Sequence, residues 1–262
     1  MDQNRQIDVG TLLNGIASSL MQNRQGLNQA DTGPGGGTHG ERMAQAFQAA
    51  AQAAQTAGTS DAGEQLAIAA QAMRQQGLGK AANYYANGLE QAAPQFQGQS
   101  GISLASLLPL LQSFVGGVQQ NNPARPGQGT MIDALLPAVQ AFSSAQQQGV
   151  DPQQAALQAL SSAVAGARGT VSHQRGGYVD PGAASATNVL GGIVGSFLPG
   201  VASALGQGST TSGQSPTPSD PLGALGGLSG IAGDLGGLLG GSATGAQPQP
   251  NPPPTQDQDR FV

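Results

Sequence analysis

Up to residue 206, apolar residues recur at spacings of three and four, the signature of helices with one buried face. No stretch shows the period-two alternation of a strand. Val9, Leu12, Leu13, Ile16 and Leu20 predict a first helix over 7–25, and Met43 and Phe47 face inward from a second over 39–57. A third, over 60–76, starts with Ser60 and Glu64 in a capping-box pattern and stops at Gly77 and Gly79. The fourth covers 80–93 and ends before Pro94. The fifth covers 101–118 with Leu104, Leu107, Leu108, Leu111 and Phe114 as its stripe, and the sixth covers 129–148 with Ile132, Leu135, Leu136, Val139 and Phe142. Asp151-Pro152 and Asp180-Pro181 each pair an N-cap with a proline suited to the first helical position. They open a seventh helix, running through Val164, and an eighth that reaches 205 with a bend at Pro199. Short loops favour antiparallel neighbours, and Ala-rich faces favour close packing. The expected fold is therefore all-α, an eight-helix antiparallel barrel or bundle.

Residues 207–262 break this pattern. They hold a Ser/Thr/Pro/Gly stretch, a Leu/Gly repeat and a Pro-rich terminus. In the repeat, each glycine costs about 0.5–1 kcal/mol against helix. The expected organisation is a helical domain over 1–206 and a low-complexity, disordered tail over 207–262. Leu-Gly-Gly repeats in the tail offer a weak basis for self-association.

Composition narrows the chemistry. There is no cysteine, so thiolate metal sites, disulfides and cysteine catalysis are excluded. Only 9% of residues are charged, against an ordinary value of about 25%, and the net charge is −5. With three tyrosines and no tryptophan, the chain has neither a basic footprint nor a stacking platform for nucleic acid. The N-terminus lacks the basic-then-apolar order of a signal peptide, and the most apolar stretch, 222–240, is interrupted by Asp234 and by glycines. These features predict a cytoplasmic protein with no nucleic-acid or membrane partner.

Four small-residue turns precede expected helices. Asp31-Thr-Gly-Pro-Gly-Gly-Gly-Thr-His39-Gly40 leads into the second helix, where free amides attract anions such as phosphate; the plainer reading is a connector with Thr38 as a cap. Gly98-Gln-Ser100-Gly101 leads into the fifth, Pro126-Gly-Gln-Gly-Thr130-Met131-Ile-Asp133 into the sixth, and Tyr178-Val-Asp180-Pro181-Gly182-Ala183 into the eighth. Strict up-and-down alternation puts the starts of even-numbered helices at one end. The fifth would join them only through a departure from alternation or an extra short element. His39 and His173 are the only histidines; they allow a metal pair, with no third histidine and no cysteine to support it.

The order of these turns resembles DhaL, the nucleotide-binding subunit or domain of dihydroxyacetone (glycerone) kinases. The stretches that carry the resemblance are LNQADTGPGGGTHGERMAQAF, GQSGISLASLL, PGQGTMIDALLPAVQAF and YVDPGAASATNVL, spanning 27–190. The resemblance implies an eight-helix barrel that binds ADP or ATP with Mg²⁺, the phosphate and nucleotide contacts falling on His39, Gly40, Ser100, Gly101, Thr130, Met131, Asp180, Pro181 and Gly182. It also implies a metal ligand at Asp31. In that family three aspartates of the first loop hold two Mg²⁺ ions, but two of the matching positions here are Gly36 and Thr38. Glu41 is the nearest other carboxylate, one turn along. A basic, Gly-rich stretch before Asp180 is shortened, and Tyr178 stands where the family carries histidine.

Hard divalent ions next to phosphates need anionic oxygen ligands. The expectation is a divergent domain with lost or weakened Mg-nucleotide phosphotransfer that acts as a binding or scaffold module. The alternative is an active phosphotransferase subunit working with a separate substrate-binding kinase partner.

Overall fold

A computed structural model of the chain describes residues 6–31, 37–174 and 177–198. The Pro199 bend and the whole 207–262 tail lie outside the described residues. The described part contains nine α-helices: α1 (Val9–Gln22), α2 (Arg24–Ala30), α3 (His39–Gln55), α4 (Ala62–Gln75), α5 (Lys80–Ala92), α6 (Leu107–Asn121), α7 (Met131–Gln147), α8 (Pro152–Gly169) and α9 (Pro181–Phe197). The all-α expectation holds. It needs one addition, a two-residue antiparallel pair of β1 (Gln6–Ile7) with β2 (Ile102–Ser103).

Two expected helices differ from those observed. The first is interrupted at Asn23, which closes α1 and opens α2. Asn23 is buried; its side-chain amide donates to the Ser19 carbonyl (3.1 Å) and to Asn188 Oδ1 (2.6 Å), competing with the helix for the backbone. The fifth begins at Leu107, not at 101. Gly101 lies so close to the Ile7 carbonyl that a Cβ would come within 2.9 Å, which allows β1 and β2 to pair. Ser103 and Ser106 then exchange side-chain-to-backbone bonds, Ser103 N–H to Ser106 Oγ (2.9 Å) and Ser106 N–H to Ser103 Oγ (3.2 Å), and hold a turn in front of the helix. A smaller difference concerns α4. Its cap is Asp61, which accepts from Glu64 N–H at 2.8 Å, rather than Ser60.

The helices form a ring in which α1 packs on α3, α3 on α4, α4 on α5, α5 on α6 and α6 on α7, with α9 closing it between α7 and α1 and α8 lying across α7 and α9. Leu13, Phe47, Leu66, Leu89, Phe114 and Val189, from six different helices, meet in the apolar centre. Every residue of α9 from Ala183 to Gly195 is buried, the polar Ser185, Thr187 and Asn188 among them. Its glycines permit that: a Cβ on Gly192 would come within 2.5 Å of the Ile16 Cα.

Alternation is strict. Gly10 of α1 abuts Gln55 at the end of α3, Gly15 abuts Ser196 at the end of α9, and Gly63 of α4 abuts Ala93 beyond α5. Gly117 of α6 abuts Asn87 of α5, and Gly166 of α8 abuts Asp133 of α7. One end of the barrel, termed the upper end, therefore carries the starts of α3, α5, α7 and α9. The lower end carries the starts of α1, α4, α6 and α8.

Candidate functional site at the upper end

At the start of α3, Asp31 and Arg42 form an ion pair, Arg42 Nη2 to Asp31 Oδ2 at 3.2 Å, in which Asp31 is the more enclosed partner. Asn28 of α2 accepts from Gly40 N–H at 2.8 Å. Gly40 has to be glycine because a Cβ would sit 2.4 Å from the Arg24 carbonyl oxygen, so α2 and α3 touch through backbone. His39, the first residue of α3, is 7% exposed. The Pro181 backbone of α9 lies beside its ring, and Nε2 is buried with no hydrogen-bond partner. Burial lowers the His39 pKa, against the pull of the nearby Asp31 charge, so the ring is neutral at pH 7.

The starts of α7 and α9 meet beside it. Thr130 and Asp133 form a full capping box on α7, with Thr130 N–H donating to Asp133 Oδ2 at 2.8 Å, and Asp133 also accepts from Gly127 N–H. Asp180 caps α9 by accepting from Ala183 N–H at 2.8 Å, and its other oxygen accepts from Gln174 Nε2 at 3.1 Å. Burial pushes the Asp180 carboxyl up to about 6, with the Asp133 charge adding to it and the Ala183 and Gly182 amides opposing it. Met131 is buried against Gly182: a Cβ there would lie 3.6 Å from the Met131 Cε. Deeper in, the buried Tyr85 hydroxyl bonds Ser185 Oγ (3.0 Å), and Ser185 donates to the Gly182 carbonyl (2.9 Å). Burial raises the Tyr85 pKa, keeping it protonated.

Of the residues singled out in the sequence, Asp31, His39, Gly40, Thr130, Met131, Asp180, Pro181 and Gly182 thus share the upper end. Ser100 and Gly101 do not. Ser100 Oγ donates to Gln6 Oε1 (3.0 Å) and Gly101 backs onto Ile7, at the lower end. That end is about 20 Å away, the length of the 14-residue α1. The small-residue turn that alternation does bring to the upper end is Gly77-Leu78-Gly79-Lys80, before α5. Gly79 is its N-cap with φ of 103°, a conformation that favours glycine, and a Cβ there would lie 4.0 Å from Arg42 Nη1. Read along the chain, Gly77 and Gly79 were only the stop of the preceding helix. The parity of helix starts was the signal that could have identified them as the start of a site.

Among the described residues, the side chains at the start of α3 do not fit a pair of divalent cations. The carboxylate of Asp31 is tied to a guanidinium, Thr38 occupies the N-cap of α3, and the Gly36 position lies outside the described residues and has no side chain to offer. Among the described residues, no three His, Asp or Glu side chains are grouped so as to hold a metal ion.

Among the described residues, a ring of helices with the starts of α3, α5, α7 and α9 gathered at the end that holds buried His39 and Asp180 defines an all-α barrel. A family model described as the DAK2 domain matches residues 35–195, and the chain belongs to that family. Its fold is similar to the crystal structure of the dihydroxyacetone kinase of C. freundii in its native form, at a TM-score of 0.53 and 20% identity. The match covers 75% of this chain and 37% of the kinase, so the chain corresponds to little more than a third of that protein. No curated protein matches the chain. Among the described residues, no helix is long and apolar enough to cross a membrane.

Proposed function

We propose that the upper end is a nucleotide-binding mouth that no longer assembles the pair of Mg²⁺ ions phosphoryl transfer depends on, and that the domain works as a binding or scaffold module. The observation that carries this reading is the Asp31–Arg42 ion pair: the one aspartate left at the resembling metal positions already neutralises a cation of the protein itself. Phosphoryl transfer relies on metal ions to neutralise charge that develops between phosphates, so a site without them loses orders of magnitude in rate. Met131 and the Asp180–Gly182 turn supply an apolar wall and a hydrogen-bonding edge for the nucleoside part, and the starts of α3 and α5 face the phosphates.

The alternative, an active phosphotransferase subunit completed by a separate substrate-binding partner, draws its support from the partial coverage of the dihydroxyacetone kinase. Calorimetric titration with ADP, in EDTA and then in Mg²⁺, separates the two. The proposal expects the same affinity in both. A gain of about tenfold or more with Mg²⁺, or about 1.4 kcal/mol, would establish a working metal centre and return the domain to the enzyme reading.

A further inference from the structure

At the upper end, the starts of α3 and α5 differ from those of α7 and α9 in having no side-chain cap of their own. Thr38 makes no cap hydrogen bond and Gly79 has no side chain to make one; of the amides at these two starts, Gly40 N–H is taken by Asn28. Arg42 stands between them. Its Nη2 is held by Asp31, while Nη1 lies beside the Gly79 turn of α5. The Arg42 side chain keeps 34% of its exposure against 11% for Asp31, so the guanidinium, not the carboxylate, faces solvent. Lys80, exposed at the first position of α5, adds a second cation. His39, nine-tenths buried at the first position of α3, has a buried Nε2 with no partner, which can bond a phosphate oxygen through a proton carried by either group. Glu41 opposes an anion from the same turn, its Oε2 enclosed without a partner, so the favourable charge rests on Arg42 and Lys80.

We propose that Arg42 stands in for the missing divalent metal, and that the starts of α3 and α5 bind a chain of phosphoanhydride-linked phosphates without any metal ion. A guanidinium is permanently charged and has five donors, so it can keep its bond to Asp31 and still clasp phosphate oxygens. Two amide-lined helix starts with a guanidinium between them suit two phosphate groups in series rather than a single carboxylate.

The inference rests on the metal-free reading above, and its test is built to fail separately. Inorganic tripolyphosphate is titrated calorimetrically into the full chain in EDTA and again in excess Mg²⁺. Binding is expected in EDTA, with no gain from Mg²⁺. Arg42→Gln is expected to weaken it about tenfold or more. Asp31→Asn is the second variant and should tighten binding several-fold, because it removes a negative charge and releases Nη2. Under a metal-centre reading the same substitution would abolish binding, so the direction of its effect decides. Weaker binding in Asp31→Asn, or unchanged affinity in Arg42→Gln, would overturn the inference. If tripolyphosphate does not bind in EDTA while ADP still does, Arg42 is not the phosphate anchor and the metal-free nucleotide mouth stands. If both bind only with Mg²⁺, both readings fall.

Discussion

The two pairs of helix starts at the upper end handle the same physical problem in opposite ways. At α7 and α9 the amides are closed off by the protein's own carboxylates, Asp133 in a capping box and Asp180 on Ala183 N–H, and Asp180 is buried enough to be pushed up to about 6. At α3 and α5 the caps are Thr38, without a cap bond, and Gly79, and the nearest charge is a guanidinium. A helix start capped by carboxylate has already spent its preference for negative charge on folding. One that lacks such a cap keeps it for a ligand. Position in the barrel is the same for both pairs; what separates wall from site is which acceptor meets the amides.

The largest effect expected from breaking this arrangement is at the open pair. Gly40→Ala forces a Cβ against the Arg24 backbone at 2.4 Å, and should destabilise the fold by about 3 kcal/mol in chemical denaturation. A loss below about 1 kcal/mol would mean that α2 can move away and that the α2–α3 contact does not fix the mouth.

Next comes Asp180, at the closed pair. Its folded pKa of about 6 lies above its ordinary value of 3.8, so the fold prefers the protonated acid. Stability from this group is fully present below about pH 4 and is lost as pH rises to about 6, a difference of up to about 3 kcal/mol. Asp180→Asn keeps an acceptor for Ala183 N–H, and should flatten that part of the stability–pH curve while leaving the neutral-pH melting temperature equal or higher. A curve that keeps its slope would assign it to another group.

Asp133→Ala removes the capping-box carboxylate and should cost about 1–2 kcal/mol, read as a fall in melting temperature with no change in anion affinity. Arg42→Gln should have the smallest effect on stability. One partner of its pair is a third exposed, and such pairs contribute under about 1 kcal/mol, yet anion binding should fall sharply. If Arg42→Gln and Asp133→Ala changed stability alike and binding alike, open and closed starts would not be different in kind.

The comparison also shows what was legible in the chain. Asp151-Pro152, Asp180-Pro181 and Thr130-x-x-Asp133 announce the starts of α8, α9 and α7, because caps are local and need only residues within one turn. His39 as the first residue of α3 was legible for the same reason. The start of α6 was not. The Leu104 stripe continues back from the helix, and only the pairing of Ile7 with Ile102 and the Ser103–Ser106 turn hold those residues out of it. The break at Asn23 depends on Asn188, 165 residues away. The same holds for the site. Ser100 and Gly101 read locally like a phosphate turn, but strict alternation carries them to the lower end, and Gly77–Lys80 takes the place beside Arg42. That Asp31 would be bound by Arg42, eleven positions on, is a consequence of how α2 approaches α3 through Gly40, which no local pattern encodes.

The central claim is that the mouth holds a guanidinium where a divalent centre would otherwise stand. Mn²⁺, whose free ion is counted by electron paramagnetic resonance, tests it directly in the presence of ADP. Adding the full chain is expected to remove no Mn²⁺ beyond what ADP itself binds. Protein-dependent loss of the free-ion signal, abolished by Asp31→Asn, would contradict it.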